Sequence, residues 1–175
     1  MDSAIAVIKQ RSNEEVMNKI NGIDKAEEIS KKLRKGGKSI VLAGGCFDLL
    51  HIGHIRFLKE AKKYGFLFIL LESDESIGKL KGKKRPIIPV QERAEILSSI
   101  SYVDYVIPLK GIKNNNDYNE LVGKIKPDFI AITKGDLARS LKEKQAKDIG
   151  AKIIEVTDRI KDKSSSKLAE IFRNY

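Results

Sequence analysis

From Lys38 onward the chain alternates two hydrophobic patterns. Short unbroken apolar runs (SIVLA, residues 39–43; FLFILL, 66–71; YVDYVIPL, 102–109; DFIAIT, 128–133; AKIIEV, 151–156) have the length and composition of strands buried on both faces. Between them the apolar positions recur at helical spacing. Ile55, Leu58 and Ala61 predict a helix over 54–64, and Ala94, Leu97 and Ile100 one over 91–100. Further helices are predicted over 118–125, stopped before Pro127, over 138–149, closed by Gly150 at a C′ position, and over 164–172. Pro108 ends the third strand. Strands that alternate with helices in this way predict an α/β fold with an open parallel sheet covered on both faces. In such sheets ligands gather at the carboxyl ends of the strands, near the point where strand order reverses.

Residues 1–37 stand outside the alternation. NEEVMNKINGIDKAEEISKKLRKGG predicts one or two amphipathic helices ended by Gly36 and Gly37. The expected organisation is a helical N-terminal extension over 1–37, packed on a single domain over 38–175.

Composition narrows the class. The 175 residues are 41% hydrophobic, enough for a core in one domain. No apolar run approaches the roughly 20 residues of a membrane span, and the N-terminus lacks the features of a secretory signal. The chain has one cysteine, so no internal disulfide can form and a reducing cytoplasm is the expected setting. The net charge is +10, but the lysines are spread along the chain and mixed with glutamates, as on solvated helix faces. Aromatic residues make up only 6%, and no basic–aromatic stacking platform appears, which argues against a specific nucleic-acid partner. One stretch differs. KLKGKKRP (79–86) has five basic residues, one glycine and no acid, and reads as a loop.

The chemistry concentrates in GGCFDLLHIGH (44–54), directly after the first predicted strand. Both histidines of the chain, His51 and His54, lie here, and so does Cys46. Gly44 and Gly45 are expected to turn the backbone and expose N–H groups, with a helix N-terminus just beyond. His51 and His54 are one helical turn apart, so both rings can face one ligand, and Gly53 leaves room between them. Imidazole can donate to a phosphate oxygen as charge builds there. A zinc reading through Cys46, His51 and His54 lacks a fourth cysteine or histidine. The cysteine, so close to the strand, is expected to point into the core. No resident metal is therefore predicted.

GGCFDLLHIGH resembles the HxGH motif of the nucleotidyltransferase superfamily, in the G-x-F-D-x-x-H-x-G-H form of its cytidylyltransferase-like members. KLKGKKRPIIPVQERAEIL is similar to the K-G-x-x-R-P-x-x-P-x-x-x-R segment of heptose-phosphate adenylyltransferases. YVDYVIP and PDFIAITKGD match the V-D-x-V and P-D-x-x-x-K-G-x-D regions of that branch. RIKDKSSSKL (159–168) sits where glycerol-3-phosphate cytidylyltransferases carry R-T-E-G-I-S-T-T. The chain departs from these patterns in having KGD for KGGD, three serines for Ser-Thr-Thr, and Asp162 for a glycine.

The resemblance covers about residues 38–175. It implies a Rossmann-like three-layer sandwich with a five-stranded parallel sheet. The implied reaction has the phosphate oxygen of an acceptor attack the α-phosphorus of an NTP, releasing pyrophosphate without a covalent enzyme intermediate. Such a step needs positioning and charge stabilisation rather than a strong base.

The resemblance also implies roles. His51 and His54 bind phosphates and stabilise the transition state, with Lys81 supplying charge and Arg93 holding a phosphate. Backbone amides of Gly44, Gly45, Cys46 and Phe47 cradle the nucleotide, beside Asp48 and Gly53. Asp48 has an equal alternative in pinning the loop through backbone N–H groups. Lys134, Gly135 and Asp136 contact the nucleotide or its metal, and Arg159, Ser164 and Ser165 close over the phosphates. Lys79 and Arg85 reach the acceptor. For the basic loop the alternative is solubility, and for Arg93 an ion pair on a helix surface.

Mg²⁺ is expected only as the NTP complex. The partners implied are an NTP and a phosphorylated small-molecule acceptor, with no membrane and, because similar proteins commonly dimerise, a homodimer. ATP with a sugar phosphate such as heptose 1-phosphate is the leading pair. CTP with glycerol 3-phosphate or a related polyol phosphate is the alternative. Flavin mononucleotide or phosphopantetheine as acceptor, a nucleic-acid-binding module and a catalytically dead nucleotide sensor are the remaining readings.

Overall fold

The computed structural model describes residues 16–112, 114–158 and 167–170. In chain order the elements are α1 (Ile23–Lys35), β1 (Ile40–Gly45), α2 (Ile52–Lys62), β2 (Phe66–Leu71), α3 (Asp74–Lys81), α4 (Val90–Ser98), β3 (Tyr105–Pro108), α5 (Asn115–Ile125), β4 (Phe129–Thr133), α6 (Arg139–Ile149) and β5 (Lys152–Thr157). The five strands form one parallel sheet in the order β3-β2-β1-β4-β5. The order reverses at β1, which lies between β2 and β4. The carboxyl ends of β1 and β4 therefore flank the crevice where open α/β sheets bind ligands.

Two apolar layers cover the sheet, because successive strand residues point to opposite faces. Val41, Ala43, Leu67, Ile69 and Leu71 pack with Phe57, Leu58 and Ala61 of α2 and with Ala94 and Leu97 of α4. Ile40, Leu42, Phe68, Leu70 and Ile130 face the other way, onto Ala26 of α1, Leu121, Val122 and Ile125 of α5, and Ala146 of α6. This is the three-layer α/β architecture expected from the sequence.

The described part of the N-terminal segment is integral to that second layer. Ile23, Ala26, Ile29 and Leu33 recur at helical spacing and turn one side of α1 onto the sheet. Gly37, at φ 68°, closes the helix as its C′ residue. Its N–H donates to Arg34 O at 3.0 Å while that of Lys38 donates to Leu33 O at 3.0 Å, so two otherwise orphaned carbonyls are bonded. Ahead of α1, Lys19–Asn21 runs beside β3. Val106 N–H donates to Lys19 O at 2.8 Å, and Asn21 N–H to Val106 O at 2.9 Å.

Two aspartates of the later motifs perform the same task at the amino edge of the sheet. Asp104, just before β3, accepts the Leu67 N–H of β2 at 2.7 Å. Asp128, just before β4, accepts the Ile40 N–H of β1 at 2.8 Å. Each satisfies the amide at the start of a neighbouring strand, far from the carboxyl edge.

The element boundaries correct the sequence reading in two places. Lys79 and Lys81 are not in a loop, because they end α3. Ser73 caps this helix by accepting the Ser76 N–H, two acids occupy its first turn, and Gly82 at φ 96° follows it. Gly44 and Gly45 also do not turn the chain. They are the last residues of β1, paired with Leu70 and Leu71 of β2.

Candidate active site

The turn after β1 is made by Phe47, which takes a left-handed φ of 45°. This conformation is costly for a residue with a large side chain. It folds the ring back over Gly45, where a Cβ would sit 3.0 Å from Phe47 Cε2. Gly45 therefore serves close packing rather than a sharp bend. The Phe47 ring is buried, and its centroid lies 5.4 Å from that of His54.

His51 is the N-cap of α2, and the two histidines bond the helix end reciprocally. His51 Nδ1 accepts the Gly53 N–H at 3.1 Å, and His54 Nδ1 accepts the His51 N–H at 3.2 Å. The ring centroids are 4.0 Å apart. An Nδ1 that accepts a backbone amide cannot carry the proton, so in each neutral ring the proton sits on Nε2. The helix cap thus fixes the tautomer and makes each Nε2–H a donor. Burial, with repulsion from His51 and from Lys81, lowers the His54 pKa to about 4. His54 is accordingly neutral at physiological pH, and Gly53 supplies one of the capping amides.

Lys81, although exposed, lies close enough for its charge to act on both the Cys46 thiol and His54. Residues two apart on a helix point to different sides. Lys79 accordingly turns away to an exposed pair with Glu75 at 2.7 Å, so its expected contact with the acceptor is not brought about here. Cys46 is half-buried rather than in the core, which corrects the expectation for it. Burial pushes its thiol up, with Lys81 pulling down and Glu72 pushing up. Among the described residues no cluster of three His, Cys, Asp or Glu side chains could hold a metal ion.

Three charged residues expected to meet substrate are instead buried braces. Asp48 is fully buried. It accepts the Ile87 and Ile88 N–H groups at 2.9 Å each and Arg85 Nε at 2.6 Å. Burial pushes its carboxyl up, but those amides and the guanidinium outweigh it and hold the pKa below the ordinary value. Of the two readings of Asp48, the geometry supports the pinned loop. Arg85 is held away from solvent by the same pair, so it does not reach out to an acceptor.

Arg93 is also fully buried. It donates to Ile88 O (2.9 Å), Cys46 O (2.6 Å), Glu72 O (2.9 Å) and Asp74 Oδ1 (2.5 Å). It ties the loops after β1 and β2 to the start of α4, and it corrects both the phosphate reading and the surface-pair alternative.

Beyond β4, the Lys134 N–H donates to Thr157 O, and its exposed side chain lies 3.7 Å from Asp158. Gly135 takes φ 73°. Asp136 accepts the Ala138 N–H and pairs with Lys142, each at 2.8 Å, which makes it a brace for α6 rather than an open ligand. Arg159, Ser164 and Ser165 lie outside the described residues. Sequence reasoning missed Glu72 and Tyr118, which hydrogen-bond to each other beside Cys46. The available signal was position, since Glu72 directly follows β2 at the carboxyl edge.

This geometry is accompanied by a match of residues 42–170 to the Cytidylyltransferase-like family. The chain belongs to the cytidylyltransferase-like family. Among curated relatives it is 40% identical over 156 residues to the bifunctional protein HldE of a Nitratiruptor species, covering 89% of this chain and 32% of that protein. It is 34% identical over 160 residues to the protein of the same name from Desulfatibacillum aliphaticivorans, covering 89% and 31%. The chain thus spans about a third of the length of these relatives.

A lipopolysaccharide core biosynthesis protein from Thermoplasma volcanium GSS1 superposes with a TM-score of 0.59 at 28% identity, over 71% of this chain and all of that one. A pantoate-beta-alanine ligase from Francisella tularensis shares the fold, with a TM-score of 0.60 at 19% identity over 88% of this chain and 78% of its own.

Proposed function

We propose that the chain is a nucleotidyltransferase that moves the adenylyl group of ATP to a sugar phosphate such as heptose 1-phosphate. The observation that carries this reading is the histidine pair. Two imidazoles held by the cap of α2 with their protons on Nε2 form a fixed pair of neutral donors beside the crevice at β1. An acceptor phosphate oxygen attacks the α-phosphorus in line, the bond to the bridging β-oxygen breaks, and pyrophosphate leaves with that electron pair. The Nε2–H groups and the Lys81 ammonium stabilise the charge that builds on the phosphate oxygens. Such donors need no proton transfer, because the phosphate nucleophile is already largely ionised.

Mg²⁺ belongs to the reaction as the ATP complex, where it supplies countercharge to the triphosphate. The described carboxylates suit that role better than a resident site, since Asp48 and Asp136 are each committed to ion pairs. The choice of ATP and a sugar phosphate draws support from the KGKKRPIIP segment, from relatives named HldE, and from the neighbour named for lipopolysaccharide core biosynthesis.

The test is to incubate pure protein with each NTP, Mg²⁺ and a panel of sugar and polyol phosphates, and to measure pyrophosphate. Release with ATP and heptose 1-phosphate alone is the expected result. Release only with CTP and glycerol 3-phosphate would replace this reading with the cytidylyl alternative.

A further inference from the structure

Glu72 is the first residue after β2, and its backbone is held on both sides. Its N–H donates to Gly45 O at 3.1 Å, and its carbonyl accepts from Arg93 at 2.9 Å. Two residues earlier, Leu70 faces the α5 layer. Strand alternation sends the Glu72 side chain the same way, where the Tyr118 hydroxyl of α5 donates to its Oε1. Burial and this carboxylate together push the Tyr118 pKa far up, so the phenol remains a donor at any working pH. The carboxylate is half-buried, and among the described residues Tyr118 is the only side chain bonded to it.

Arg93 bonds both the Glu72 and the Cys46 carbonyls, and Glu72 and Lys81 both act on the Cys46 thiol, the one pushing its pKa up and the other down. The carboxyl edge thus carries the Lys81 ammonium and the imidazole pair, and close to the same thiol the Glu72 carboxylate. A carboxylate repels phosphate but accepts strong hydrogen bonds from hydroxyl groups. A fixed anion beside a site for anions weakens binding unless some part of a ligand bonds to it.

We propose that Glu72, oriented by Tyr118, is the acceptor-specificity residue: its carboxylate accepts hydrogen bonds from hydroxyl groups on the carbon skeleton of the phosphorylated acceptor. Tyr118 is the positioning residue that holds one carboxylate oxygen and aims the other. The inference rests on the transferase reading for the identity of the ligand, although its test does not require turnover.

Calorimetric titration of the full chain with heptose 1-phosphate and, separately, inorganic phosphate reads the effect directly. Glu72→Gln is near-isosteric. It should weaken heptose 1-phosphate by about tenfold or more, the worth of a hydrogen bond to a charged group, and inorganic phosphate by less than about twofold. Tyr118→Phe should show the same selectivity with a smaller loss, and it carries the test if Glu72→Gln fails to fold. In turnover assays the acceptor KM should rise in both variants while the ATP KM stays within about twofold.

Equal losses for both ligands, no loss, or a wild-type chain that does not prefer heptose 1-phosphate to inorganic phosphate would each overturn the inference. A wild-type chain with that preference but no pyrophosphate release with any NTP sinks the transferase reading and leaves Glu72 as assigned. Turnover with an acceptor KM unmoved by both variants does the reverse.

Discussion

Arg85 Nε donates to Asp48 Oδ2 at 2.6 Å, with both side chains withdrawn from water. The pair joins the HxGH loop to the basic segment, two stretches 37 residues apart that the sequence presents as separate motifs. Removing one partner of a buried pair strands the other, so Asp48→Asn should cost about 3–5 kcal/mol. A denaturant midpoint unchanged from wild type would show that the pair is not structural. Because the Asp48 pKa is depressed, its contribution is present above the ordinary carboxylate value and is lost as pH falls through the folded value.

His54→Gln separates the two tasks of His54. Glutamine at the third helical position can still accept the N-cap amide, so the fold should persist. The Nε2–H donor is gone, and turnover should fall about 100- to 1000-fold. Wild-type turnover in a folded variant would remove His54 from the chemistry. His51→Asn, which also keeps a capping oxygen, should fall similarly.

His54 also makes stability depend on pH, in a window above that of Asp48. The His54 pKa is about 4 in the folded chain against an ordinary 6.5. Between those values the unfolded chain binds a proton that the folded chain does not. Stability should therefore fall as pH drops from 6.5 towards 4, by up to roughly 1.4 kcal/mol per unit. His54→Gln should flatten this part of the curve in urea titrations. An unchanged slope would mean that His54 is not buried as a neutral ring.

Arg93 connects three carbonyls and Asp74, so Arg93→Met should act on the frame rather than on one substrate. We expect a stability loss of about 3 kcal/mol or more from the three unbonded carbonyls. The kinetic parameters for ATP and acceptor should worsen together. A rise in one KM alone, at wild-type stability, would return Arg93 to phosphate binding.

Lys81→Ala should raise the ATP KM or lower kcat by about tenfold or more, as a lost charge-assisted contact to phosphate. Lys79→Ala, on the other side of α3, should change neither by more than about twofold. Equal effects at both positions would point to diffuse positive charge instead of a placed ammonium.

The alternation of elements was legible because strands buried on both faces must be continuously apolar and helices between them must be amphipathic. The position of the histidines was legible for the same reason, since the loop after the first strand lies at the functional edge. The buried ion pairs were not. Arg85 and Arg93 look like solvent-facing charges in a basic chain, and their partners lie too far away in sequence for spacing to reveal them. The turn at Phe47 was also hidden, because glycines nearby are the usual markers of left-handed backbone and here they belong to the strand. Helix α3 was obscured by its own lysines, although Ser73 and Gly82 marked both ends.

The pairing of Lys19–Asn21 with Val106 has a practical consequence. That short segment occupies the outer hydrogen-bonding groups of β3, and α1 covers apolar surface on the same side of the sheet. A chain trimmed to begin at Lys38 would keep every motif of the catalytic edge. It would also lay open a strand edge beside a bare hydrophobic face, the combination that templates intermolecular β-pairing. Residues 19–35 are thus expected to guard against self-association, and the trimmed chain to precipitate rather than to remain in solution.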